Sequence, residues 1–164
     1  MDSAQCLINA LGLTPHIEGG FYRRTFTSAQ WVDVEESQRP LATSIYYLLT
    51  EASPVGFFHK NASDILHLYH GEGVITHYTL SPEGVFDVTQ LGADIASGQQ
   101  LQFFVPKNYW KASQLTSGQF GLISEVVLPG FDWSGHQLAT LDELVALNPM
   151  HQALYASLTK PLLE

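Results

Sequence analysis

The stretch Phe58-His59-Lys60-Asn61-Ala62-Ser63-Asp64-Ile65-Leu66-His67-Leu68-Tyr69-His70-Gly71 gathers His59, His67 and His70 with one carboxylate, Asp64. An imidazole beside a carboxylate can move protons near neutral pH, because the acid fixes the ring tautomer and stabilises its charged form. Histidines with an acid are also the donor set of a transition metal. In an extended chain alternate side chains share a face. Ile65, His67 and Tyr69 therefore point one way, and Asp64, Leu66, Leu68 and His70 the other. An irregular Asn-Ala-Ser stretch separates His59 from Asp64, so parity leaves their relative facing open.

These residues need a scaffold, and composition bounds it. The chain has 164 residues, 45% hydrophobic and 12% aromatic, enough for a core without disulfide or metal staples. One domain spanning 1–164 is expected, since no repeat, linker or low-complexity tract interrupts it. Seven basic against 16 acidic residues, a formal charge of −9, disfavour nucleic acid as a partner. The lone Cys6 fits a reducing compartment. The Met1-Asp2-Ser3 start lacks a secretion signal, and no apolar run reaches the roughly 20 residues that cross a bilayer. The expectation is a cytoplasmic protein that meets no membrane.

The first segment reads as a helix capped by Ser3, with Leu7, Ile8 and Leu11 on one face and Gly12 as its stop. A loop follows, Thr14-Pro15-His16-Ile17-Glu18-Gly19-Gly20. From Phe21 to Leu128 the pattern is short β runs: Phe21–Thr27, Ala42–Leu49, Val55–His59, Ile65–Tyr69, Val74–Leu80, Val85–Leu91, Leu101–Val105, Trp110–Leu115 and Phe120–Leu128. Turns are expected at Ser81-Pro82-Glu83-Gly84, Ala96-Ser97-Gly98 and Thr116-Ser117-Gly118. Strands so numerous and closely spaced give a sandwich or barrel. Thr140-Leu141-Asp142-Glu143 has capping-box spacing, and Asn148-Pro149 ends one helix and starts another. Both helices should pack outside the barrel.

At these residues the sequence resembles the cupin superfamily. His59 and Gly71 match the first cupin motif, with Asn61 where a second histidine stands and Asp64 as the nearest acid. Pro106-Lys107-Asn108-Tyr109-Trp110-Lys111 matches the second motif, with Lys111 replacing its histidine. The similarity is closer to the uncharacterised cupin 5 group. Its opening block is Leu11-Gly12-Leu13, Pro15-His16 and Glu18-Gly19-Gly20-Phe21-Tyr22-Arg23, and its next is Arg39 to Tyr46. Leu91-Gly92-Ala93-Asp94, Val105-Pro106 with Trp110, and Pro129-Gly130-Phe131-Asp132 follow in order.

The resemblance implies an all-β cupin jelly-roll barrel with short terminal helices, a polar and aromatic mouth, a homodimer, and similarity to sugar-nucleotide 3,5-epimerases. Epimerisation needs a base and an acid. His59 with Asp64 are the catalytic candidates. Tyr69, Tyr78 or Tyr109 could donate the proton, and Lys111 could stabilise an enolate. His67, Glu125, Trp110, Glu18 and Arg23 complete the candidate ligand contacts. Glu18 and Arg23 are read first as loop anchors, and Tyr109 and Trp110 first as packing. Glu125, mid-strand, is costly unless paired or solvated. His16, His77, His136 and His151 are read as surface or packing residues. No metal and no other cofactor is expected, because Asn61 is a poor ligand and a protonated Lys111 repels a cation. A small-molecule ligand is the expected partner. The alternatives are a non-catalytic metabolite-binding module and a metal-dependent cupin enzyme.

Overall fold

The computed structural model describes residues 3–34 and 37–161, so the Met1-Asp2 start lies outside the described residues. Helix α1 (Ser3–Leu11) leads into β1 (Thr14–Pro15), β2 (Phe21–Thr27), β3 (Trp31–Val34), β4 (Ser37–Pro40) and β5 (Thr43–Thr50). Then come β6 (Val55–Asn61), β7 (Asp64–Leu80), β8 (Phe86–Leu91), β9 (Gln102–Val105), β10 (Trp110–Leu128) and β11 (His136–Leu138). Helices α2 (Leu141–Leu147) and α3 (Gln152–Leu158) close the chain, and short 3-10 turns sit at Ile95–Ser97, Trp133–Gly135 and Pro149–His151.

Two long strands organise the barrel. The first part of β10 lies between β6 and the second half of β7, with Lys111 opposite both His59 and Thr79. Its second part lies between β5 and the first half of β7, where Glu125 faces Ile45 and His67. β8 extends the first sheet beside β7, and β11 extends it beside β6. β9 and β2 flank the second sheet. Because β7 and β10 run through both, the two sheets are halves of one hydrogen-bonded sheet, nine-stranded among the described residues, that curls into the jelly roll.

Two pairs of expected strands are single elements. The Thr116-Ser117-Gly118 segment, expected as a turn, stays inside β10, which shifts register there against β7. A side chain on Gly73 would lie 2.1 Å from the Ser117 carbonyl, so glycine permits this close crossing. The β3–β4 hairpin, unexpected from the sequence, pairs Trp31 with Pro40 and Val32 with Arg39.

Apolar side chains form two cores. Phe58, Leu80, Trp110, Ala112, Leu144, Tyr155 and Leu158 pack where α2 and α3 cover the outer face of the first sheet. Each such burial contributes about 1.5–3 kcal/mol for the larger aliphatic and aromatic groups. Tyr47, Leu49, Ile75, Leu91 and Ile123 fill one part of the barrel interior. The Thr140–Glu143 capping box forms as expected. Ser3, expected as a cap, lies within helix α1 as described, and its hydroxyl donates to Gln119 across the structure.

Candidate functional site

The loop before β2 carries a carboxylate into the barrel. Gly19 has φ +93° and a side chain there would meet the Val55 carbonyl at 2.1 Å, so the chain lies directly on β6. The Phe57 amide donates to the Glu18 carbonyl at 2.7 Å, and the Tyr47 hydroxyl donates to the Gly19 carbonyl at 2.8 Å. Glu18, only 7% exposed, thereby sits beside His59, its Oε2 lying 3.3 Å from His59 Nε2. Its Oε1 lies 2.7 Å from His136 Nε2.

Hydrogen-bond partners assign the tautomers. His59 Nδ1 lies 2.7 Å from the Phe57 carbonyl, which can only accept, so Nδ1 carries the hydrogen. In the neutral ring Nε2 is then a bare lone pair beside Glu18. His136 must donate from Nε2 to the carboxylate. His16 Nδ1 accepts from the Glu18 amide at 3.2 Å and therefore carries its hydrogen on Nε2. Burial pulls the His59 pKa down to about 4, against the opposing pull of Glu18. Burial resists ionisation of Glu18 too, but His59, the His136 hydrogen bond, His16 and Lys111 outweigh it and hold the carboxyl at about 2. The resting pair is a neutral imidazole and a carboxylate. A proton arriving at Nε2 meets a negative charge 3.3 Å away.

A second polar unit lies next to this one. Lys111 Nζ is 2.8 Å from His67 Nε2 and donates to Glu125 Oε1 at 3.1 Å. His67 Nδ1 faces the Phe103 carbonyl at 3.3 Å, so its Nε2 is free to accept from the lysine. All three residues are buried. Burial lowers the pKa of His67, and Lys111 lowers it further. Glu125 resists burial through Lys111 and His67, which keep its carboxyl well below the usual range. His77 sits 4.9 Å from the His67 ring, fully buried, with neither nitrogen hydrogen-bonded among the described residues. Burial, then His67 and Lys111, push it well below the ordinary histidine value.

A cavity of about 330 Å³ opens between the sheets, lined by Tyr22, Arg24, His59, Glu125, Phe131 and Trp133 among others. His16 and Glu18 also border it. The other candidates lie elsewhere. Asp64 accepts from the Lys107 amide at 2.8 Å, so the carboxylate beside His59 is Glu18 and not Asp64. Tyr69 donates to the Glu72 carbonyl, and Tyr78 donates to Gln114 and packs on the helix-side core. Trp110 belongs to that core, with Lys60 Nζ 4.3 Å above its ring. Tyr109 and Lys111 flank a narrow crevice behind His59. Arg23 turns outward near Gly12, leaving Arg24 as the arginine at the cavity. His16 and His136, read as surface or packing residues, have side chains 8% and 6% exposed and both address Glu18. His151 does pack, stacked on Phe86.

The donor set does not suit a divalent cation. Among the described residues no three His, Cys, Asp or Glu side chains are placed to hold one. The Lys111 ammonium already occupies the free nitrogen of His67 and one oxygen of Glu125. No helix among the described residues is long and apolar enough to cross a membrane.

Two curled antiparallel sheets around a polar cavity, with helices outside, define a cupin-type barrel. The sequence model of the Cupin superfamily (DUF985) matches residues 5–139, and the chain belongs to that family. It is 39% identical to an uncharacterized protein of Saccharomyces cerevisiae, over 82% of this chain and 74% of that one. Among solved structures, a Shewanella oneidensis protein is 36% identical with TM-score 0.89, covering 99% of this chain and 100% of the other. A hypothetical protein from Leishmania major is 30% identical with TM-score 0.88, covering 96% and 99%. Oxalate decarboxylase from Bacillus subtilis shares the fold alone, at 12% identity and TM-score 0.55, over 88% of this chain and 36% of that one.

Proposed function

We propose that the barrel binds a small hydroxy-carbonyl compound and shifts a proton on it without a metal, as a sugar-type epimerase or isomerase. The observation that carries this reading is that His59, a residue lining the cavity, keeps its Nε2 without a hydrogen, 3.3 Å from Glu18. His59 would take the proton on the carbon next to the carbonyl, leaving an enolate, and Glu18 would stabilise the imidazolium. The enolate then regains a proton at carbon. Tyr22 is the candidate donor, since it lines the cavity and its hydroxyl has no hydrogen-bond partner among the described residues.

The test is exchange of substrate C–H hydrogens with deuterated solvent, followed by NMR over a panel of aldoses and ketoses. Wild-type protein should exchange one position on a bound member, and His59→Gln should abolish exchange while keeping binding. Thermal stabilisation by a ligand without exchange would replace catalysis with plain sequestration.

The reading extends to a homodimer in the cytoplasm. Phe26, Trp31, Leu41 and Leu128 are exposed, and β2 beyond Tyr22 pairs only with β5 among the described residues. An exposed Cys6 fits a reducing compartment. A sedimentation mass of one chain at micromolar concentration would refute the dimer.

A further inference from the structure

We infer that Arg24 is an oxyanion anchor at the cavity mouth, so that the ligand is an anionic monosaccharide-sized compound, a phosphate ester or a carboxylate, with its neutral end toward His59. This rests on the cavity being the ligand site.

The argument begins with strand parity. Tyr22 and Arg24 share the inner face of β2 and both line the cavity, while Arg23 turns outward to α1. Arg24 has no ion pair with any described residue, in a chain with 16 acidic and seven basic residues. Its guanidinium lies 5.9 Å from the Phe131 ring and makes no side-chain hydrogen bond to any described residue. A planar fork of donors is the side chain best matched to carboxylate and phosphate oxygens.

The inner end of the cavity has the opposite character. Glu18 accepts from His136, and Glu125 accepts from Lys111, so neither carboxylate lacks a partner and neither invites an anion. Hydroxyl and carbonyl groups suit that end. Trp133, 55% exposed, also lines the cavity and offers an aromatic surface to a ring. A volume of about 330 Å³ is at the lower end of the roughly 300–1,000 Å³ of ligand clefts, which suits one substituted ring and not a dinucleotide.

The experiment compares matched pairs by ligand-observed NMR titration: fructose with fructose 6-phosphate, glucose with glucose 6-phosphate, and glucose with glucuronate. Inorganic phosphate alone serves as a further arm. At least one anionic member should bind about 10- to 100-fold more tightly than its neutral twin, the worth of a charge-assisted hydrogen bond. Arg24→Gln should erase that preference and leave the neutral twin unchanged, whereas Arg23→Gln should alter neither. The phosphate and glucuronate arms separate the two oxyanion sources. Equal binding of every pair, an Arg24→Gln variant that keeps the preference, or no binding at millimolar concentration overturns the anchor. Binding is read without turnover, so an anchored ligand that exchanges no hydrogen sinks only the His59 chemistry. Exchange on a neutral sugar with no anionic preference sinks only the anchor.

Discussion

Replacing Lys111 with methionine removes the cation from the second polar unit while keeping a chain of similar volume. Lys111 is 2% exposed and Glu125 8%, and the 3.1 Å contact is the carboxylate's hydrogen bond from a charged donor. Without the ammonium, Glu125 faces His67 Nε2 at 3.3 Å, a bare lone pair because the ring hydrogen is held at Nδ1 by the Phe103 carbonyl. Breaking a buried pair from one side costs about 3–5 kcal/mol, since the remaining charge stays desolvated. Lys111→Met should lose about that much in urea unfolding at pH 8. Burial without the lysine raises the folded pKa of Glu125 above its unfolded value. Stability from such a group is present at low pH and lost as pH rises through the folded pKa. The penalty should therefore shrink between pH 8 and pH 5. Adding Glu125→Gln should recover all but about 1 kcal/mol, because the amide can donate to His67. A single-variant cost below about 1 kcal/mol at pH 8, a penalty constant with pH, or no recovery in the double variant would refute this account of the buried triad.

Acid should unfold the protein in two stages. The folded pKa of His59 lies near 4, below its unfolded 6.5, so its contribution is full above 6.5 and lost as pH falls to 4. At about 1.4 kcal/mol per pH unit that is about 3 kcal/mol, with His16, His67 and His77 adding in the same direction. Glu18 and Glu125, both depressed, add a further loss below about 4.5. Urea midpoints flat between pH 7 and pH 5 would contradict the first stage. Gly19→Ala should be destabilising by about 1–3 kcal/mol and should weaken ligand binding, because the new methyl group meets the Val55 carbonyl and displaces Glu18. Unchanged binding and stability in that variant would show that the loop relaxes freely.

Legibility in the sequence followed the physics of each element. Runs of β-forming residues bounded by turn signals place β2, β5 and β8 within a residue or so, and period-two alternation puts His67 on the same face as Ile65, where both are buried. It could not pair Glu18 with His59, because 41 positions separate them and they meet through long-range contacts such as the Phe57-to-Glu18 backbone bond. A local signal did exist: two adjacent glycines after Glu18 mark a backbone pressed against its neighbours, Gly19 against β6, which bears His59, and Gly20 against β5. His136 carried no comparable mark. It reaches Glu18 from β11, a three-residue strand after a 3-10 turn, too short to show any period.

The first sheet explains why the sequence points to Tyr78 and Trp110 as site candidates and passes over Tyr22 and Arg24. A sheet that is apolar on one face and wet on the other announces its inside by alternation. Here the alternation runs backwards. Phe58, Trp110, Ala112 and Leu80 face outward under α2 and α3, while His59, Asn61, Lys111, Ser113, His77 and Thr79 alternate with them on the barrel side. Once helices cover the outer face, hydrophobicity no longer distinguishes core from cavity, and the aromatic residues belong to the helix contact. Buried polar groups cost stability unless they are paired. On this face His59 and Asn61 border the cavity and Lys111 is paired with Glu125, while the same strands pack with apolar side chains on the opposite face.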